Sequence, residues 1–252
     1  MRVSVLSSGS KGNTTYVETD NAKILIDIGN TAKYVKEKLK EFEIDPNDLD
    51  AILITHTHQD HVKGLRIFEK QYNTLVYVSD IMLKSLGYLK NYKLLENSFN
   101  IKDIHVDMIK TSHDTEDSKG YIISDSVSSI VYITDTGYIN RKYFDLLSNR
   151  DLYIIESNYD AQMLMNGNYP FHLRHRILSD KGHLSNYDSA LYLSSFIGSN
   201  TKYILLAHLS EENNTEEIAY NTLMERLRDD NRNFPNIIIT KQDKETELIK
   251  LW

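Results

Sequence analysis

The chain has 252 residues, 40% hydrophobic and 26% charged, with a formal charge of −7 at pH 7. That apolar share is enough for a sizeable core, and the acidic balance excludes a protein that coats nucleic acid, though not an enzyme with a nucleic-acid substrate. The lack of cysteine excludes disulfides, zinc–thiolate ribbons and thiol nucleophiles, so a tightly held transition metal must rest on imidazole and carboxylate.

In chain order, short runs rich in Ile, Val and Tyr predict strands at Arg2–Leu6, Thr14–Thr19, Lys23–Asp27, Ala51–Thr55, Leu75–Val78, Ile104–Thr111, Gly120–Ser124, Ile130–Thr134, Leu152–Glu156, Tyr203–Ala207, Ile237–Thr240 and Glu247–Leu251. Helical patterns fall at Lys33–Phe42, Val62–Tyr72, Ile81–Leu89, Arg141–Leu147, Asn186–Phe196 and Glu216–Arg228, the last with Thr215 as N-cap. A close-spaced opening meander followed by alternating strands and helices implies two sheets packed face to face with helices outside, read as one domain over residues 1–252. The apolar run at the N-terminus is too short for a signal-peptide core and no stretch reaches membrane-spanning length, so a cytoplasmic protein without a membrane partner is expected.

The strongest motif runs from Asp50 to Gly64, where a buried strand passes into His56-Thr-His58-Gln-Asp60-His61 and then a helix. In extended backbone His56 and His58 point the same way, and a turn after His58 aims Asp60 and His61 at a neighbouring position. One loop can thus serve two adjacent cations, and a nitrogen–oxygen donor set suits zinc, manganese or iron. Three further candidate ligands each end an apolar strand: His113, Asp135 and His208.

This set resembles the metallo-β-lactamase superfamily over essentially the whole chain. The resemblance implies an α/β fold, the αββα four-layer sandwich, with a dinuclear site at one edge. It assigns His56, His58 and His113 to one divalent ion and Asp60, His61 and His208 to the other, with Asp135 between them. A narrower resemblance, to the YycJ (WalJ)-like branch, rests on Ser7-Ser8-Gly9-Ser10-Lys11-Gly12-Asn13-Thr14, on Glu156-Ser157-Asn158-Tyr159-Asp160, and on Tyr169-Pro170 leading through Arg174 and Arg176 to Gly182-His183-Leu184-Ser185-Asn186. Members of that branch resemble 5′→3′ exonucleases acting on DNA. They usually carry His where this chain has Tyr159, so the role of that position is altered here or passes to His183.

The expected chemistry is phosphodiester hydrolysis by a hydroxide bridging the ions, oriented by Asp60, with His183 supplying a proton to the leaving oxygen. Ser8, Ser10, Asn13, Asn158, Tyr159, Arg174 and Arg176 are the candidate substrate contacts, the two arginines and Lys181 forming a locally basic rim. A small cyclic-nucleotide phosphodiesterase and a non-catalytic binding module of the same fold are the alternatives, and a homodimer is left open.

Overall fold

The computed structural model describes residues 1–252. Sheet one contains β1 (Arg2–Ser7), β2 (Thr14–Glu18), β3 (Lys23–Ile26), β4 (Ala51–Leu53), β5 (Val76–Val78) and β6 (Tyr92–Leu94). Sheet two contains β7 (Ser98–Ile101), β8 (Ile104–Lys110), β9 (Lys119–Ser124), β10 (Ser129–Ile133), β11 (Leu152–Glu156), β12 (Tyr203–Ala207) and β13 (Ile237–Ile239), while β14 (Ile249–Lys250) returns to sheet one. The orders are β14-β1-β2-β3-β4-β5-β6 and β13-β12-β11-β10-β9-β8-β7. Each sheet begins antiparallel and then runs parallel, the switch falling after β3 in one and after β10 in the other.

Strand periodicity decides the layers. Along β11, Leu152 and Ile154 enter the core shared by the two sheets, while Tyr153 and Ile155 face the outer helices. Opposite faces of one strand are thereby both buried, which is why these strands are apolar throughout instead of alternating with polar residues. The shared core also takes Val3, Val5 and Leu53 from sheet one, with Val106, Tyr121 and Leu205 from sheet two. Outside sheet one, helices Ala32–Glu41 and Leu65–Tyr72 supply Val35, Leu39, Leu65 and Phe68. Outside sheet two, helices Asn186–Phe196 and Glu216–Asp229 supply Leu193, Phe196, Leu223 and Leu227. The result is the four-layer sandwich expected from the sequence. No helix is long and apolar enough to cross a membrane.

The structure departs from expectation in five places. Strands β6 and β7 and the helix Ala161–Asn166 had no element predicted over them, and the segment expected as a basic rim is carried on a helix, Phe171–Leu178. The expected helix Val62–Tyr72 is two pieces, Gln59–Val62 and Leu65–Tyr72. The break at Gly64 follows from packing: a Cβ there would lie 2.2 Å from the Asn30 carbonyl oxygen.

Candidate metal centre

Six strands end at one edge of the sandwich, and the chemistry-bearing residues sit just beyond or at their last residues. Sheet one delivers Asp27 after β3 and His56, His58, Asp60 and His61 after β4; sheet two delivers His113, Asp135, Glu156 and His208 from β8, β10, β11 and β12. Asp27, Asp135 and His208 have positive φ of 59, 54 and 56°, a sharp reversal that non-glycine residues adopt at a cost of about 1–3 kcal/mol. Such cost persists where the surroundings hold it.

Two donor groups form from the predicted ligands, and a third, overlapping one brings Glu156 and His183 to Asp135 and His208. His56, His58 and His113 make one, and Asp60, His61, Asp135 and His208 the other, the donor atoms of each lying within 4.8 Å of one another. Asp135 faces both: one oxygen lies 3.1 Å from His61 Nε2, the other 3.5 Å from His208 Nε2 and 3.7 Å from His113 Nε2. His208 Nε2 to Asp60 Oδ2 is 3.4 Å, and His113 Nε2 to His58 Nδ1 is 3.2 Å. Tetrahedral bonds of about 2.0–2.1 Å place neighbouring donors about 3.3 Å apart, so these spacings suit a shared cation better than hydrogen bonds between the donors. His56 Nε2 is buried with no hydrogen-bond partner, a state that costs about 1–3 kcal/mol unless a cation takes the lone pair.

The supporting contacts decide which imidazole nitrogen is bare. Asp27 Oδ2 accepts from His61 Nδ1 at 2.7 Å, and Thr55 donates its hydroxyl and backbone N–H to the same carboxylate at 2.7 and 2.8 Å. Thr55 Oγ1 lies 3.1 Å from His56 Nδ1, the Gly182 carbonyl 3.1 Å from His113 Nδ1, and Glu156 Oε1 3.1 Å from His208 Nδ1. Each oxygen holds the proton on Nδ1 and leaves Nε2 aimed at the centre. His58 is reversed, presenting Nδ1 inward with Nε2 3.8 Å from Asp114.

Electrostatics follow burial and neighbours. Desolvation, reinforced by His61, holds His56 well below the usual imidazole range; desolvation likewise lowers His113. Burial also opposes a charge on His61 and His208, but the carboxylates outweigh it. Asp135, Asp27 and Asp60 hold His61 well up, and Asp135, Asp60 and Glu156 raise His208 to about 10. Negative charge thus converges where a cation would lie.

The remaining candidate residues divide. Ser10, Asn158, Arg176 and His183 line a cleft of about 260 Å³ together with His58, Asp60, His113, Asp135 and His208. His183 Nδ1 donates to Glu156 Oε1 at 2.6 Å, leaving Nε2 as its free nitrogen. Asn158 also braces His208, donating to its carbonyl at 2.8 Å. Ser8 and Asn13 lie behind the donors instead of lining the cleft. Ser8 Oγ accepts from the His208 backbone N–H at 2.8 Å, and Asn13 Nδ2 lies 3.1 Å from His61 Nε2 and 3.3 Å from Asp60 Oδ2. Tyr159 is buried against Leu164 and Ile177, and Arg174 spends one guanidinium N–H on the Met165 carbonyl. Arg176 pairs with Asp114 at the mouth. Sequence reading gave no role to Asp27 or Glu156. Both are fully buried carboxylates at the end of an apolar strand, the same local signature that marks Asp135.

An αββα sandwich with clustered imidazoles and carboxylates at one edge defines a metallo-hydrolase. The chain belongs to the metallo-β-lactamase superfamily: a family model described as "Beta-lactamase superfamily domain" matches residues 22–204. Among characterised relatives it is 36% identical over 236 residues to exodeoxyribonuclease WalJ of Streptococcus pneumoniae, covering 90% of this chain and 88% of the relative. Exodeoxyribonuclease YycJ of Bacillus anthracis is 37% identical over 227 residues, covering 87% and 86%. The crystal structure of the metallo-β-lactamase fold protein YhfI from Bacillus subtilis superposes with a TM-score of 0.76 at 16% identity, over 98% of this chain and 99% of that one.

Proposed function

We propose that this hydrolase is a metal-dependent exonuclease acting on DNA in the cytoplasm. His56, His58 and His113 hold one divalent cation, Asp60, His61 and His208 a second, and Asp135 serves both. Zinc or manganese is the ion this nitrogen–oxygen set favours. When bound, such a pair lowers the pKa of water and neutralises charge developing on phosphate oxygens. Asp60, reaching into the cleft, orients the attacking water, while Ser10 and Arg176 face the phosphate. His183, its Nδ1 fixed by Glu156, delivers a proton from Nε2 to the leaving oxygen.

The observation that carries the reading is the Asp135 carboxylate facing both donor groups at once, which fits two adjacent cations and an in-line displacement at phosphorus. Two relatives named exodeoxyribonucleases, similar over most of their length, support DNA as the polymer. The test is release of nucleotides from end-labelled DNA by protein loaded with zinc or manganese. Release that is lost in Asp60→Ala and His61→Ala is expected. Loaded protein that leaves DNA intact while hydrolysing cyclic nucleotides would replace the reading with the small-ligand alternative.

A further inference from the structure

Three of the thirteen residues lining the cleft are hydrophobic, and all three come from one stretch of chain. Tyr169, Leu173 and Ile177 lie on the excursion that leaves β11 and carries the helices Ala161–Asn166 and Phe171–Leu178. Ile177 belongs to a small cluster with Tyr159 and Leu164, against which Tyr169 and Leu173 pack only partly buried, apart from the three main cores. Hydrolysis at phosphorus has no use for an apolar wall. Tyr169 is half-buried against that cluster, and its remaining surface lies beside the imidazoles and carboxylates of the cleft, where the rest of a substrate would lie.

The same excursion is the basic part of an acidic protein. Residues 161–182 hold Arg174, Arg176 and Lys181 against the single carboxylate Asp180, in a chain of net charge −7. Arg176 pairs with Asp114 at the cleft mouth and is half-exposed, so an arriving phosphate can share or take over its guanidinium. A cationic track with an aromatic face is the arrangement by which proteins hold single-stranded nucleic acid. A volume of about 260 Å³ lies just below the usual range of small-molecule sites, a size that suits one terminal unit of a polymer.

Building on the nuclease reading, we propose that Tyr169, backed by Leu173, is a stacking wall for the nucleobase of the terminal nucleotide, and that Arg176 holds that nucleotide's phosphate. Tyr169 is a specificity-determining residue: it recognises a base of any identity at a single-stranded end.

Steady-state cleavage of a single-stranded oligonucleotide, with either an ordinary or an abasic terminal nucleotide, tests this in wild type, Tyr169→Ala and Tyr169→Phe. Tyr169→Ala raises KM for the ordinary strand at least about fivefold, the low end of what one base–aromatic stack contributes, and Tyr169→Phe restores it. The abasic strand shows the same KM penalty in wild type and no further penalty in Tyr169→Ala. Anisotropy of a labelled strand bound to Asp60→Asn, with and without Tyr169→Ala, reports the same ratio without turnover. Equal use of ordinary and abasic ends by wild type, or equal losses on both strands in Tyr169→Ala, overturns the stacking wall and leaves the nuclease standing. Wild type that cuts neither strand removes both.

Discussion

Asp27→Asn isolates the contribution of a residue that touches no cation and no substrate. The backbone at Asp27 has φ 59°, a conformation asparagine tolerates well, so the turn itself survives the change. The carboxylate has three donors to satisfy: the Thr55 N–H on one oxygen, and the Thr55 hydroxyl and His61 Nδ1 on the other. An amide has one oxygen. If its NH₂ faces the Thr55 N–H, two donors meet in a fully buried place. If it faces His61, Nδ1 must accept, the proton moves to Nε2, and the nitrogen aimed at the centre is blocked.

Either orientation weakens the site that His61 completes. Loss of a hydrogen bond from a metal-binding histidine to its carboxylate typically costs about 10–100-fold in metal affinity, or about 1.4–2.7 kcal/mol. A hydrogen bond to a charged group, at roughly 1.5–3 kcal/mol, agrees with that range. Competitive chelator titration with zinc should show one of two binding steps weakened by this factor, while the step belonging to His56, His58 and His113 stays in place. Wild-type affinity at both steps in Asp27→Asn would refute the tautomer argument. So would an equal loss at both, which would mean a general disturbance.

His183→Ala should lower kcat on DNA about 10²–10⁴-fold while leaving metal content unchanged. A p-nitrophenyl phosphodiester, whose leaving group departs without a proton, should lose far less, and equal losses on the two substrates would remove His183 as the proton donor. Gly29→Ala places a Cβ 1.7 Å from the Asp60 carbonyl oxygen and 2.4 Å from the Asn13 nitrogen, both backbone atoms. Chemical denaturation should show a loss above about 4 kcal/mol or no cooperative transition, and a wild-type midpoint would show that the turn can yield.

The site was legible in the sequence wherever a polar residue interrupts an apolar run. His56, His58, Asp135 and His208 all do so, because a strand buried on both faces admits a charge only where it leaves the sheet. Asp27 and Glu156 carry the same signature, but their part, bracing an imidazole, depends on which histidine folds against them and is not written in the local sequence. Strand β6 has all three residues exposed at the sheet edge, so neither burial nor alternation marks it, and β7 is likewise an edge strand. The excursion over the cleft was legible as a basic segment but not as a wall, since Tyr169 and Ile177 meet only when the helix Phe171–Leu178 folds back on Leu164. Asn13, expected as a substrate contact, instead closes its own turn by bonding to the Gly9 N–H and the Gly9 carbonyl, and the same amide also reaches Asp60 and His61.

Neither sheet holds a complete set of donors: the loop after β4 brings four, and the other three arrive from β8, β10 and β12. Ser8 and His208, two hundred positions apart, are joined directly by a hydrogen bond beside the centre. During synthesis the early histidine loop therefore emerges without its counterparts. Until β12 has been made and the second sheet has closed over the first, the four donors of that loop stand without the other three, and the partly made chain has no complete donor set.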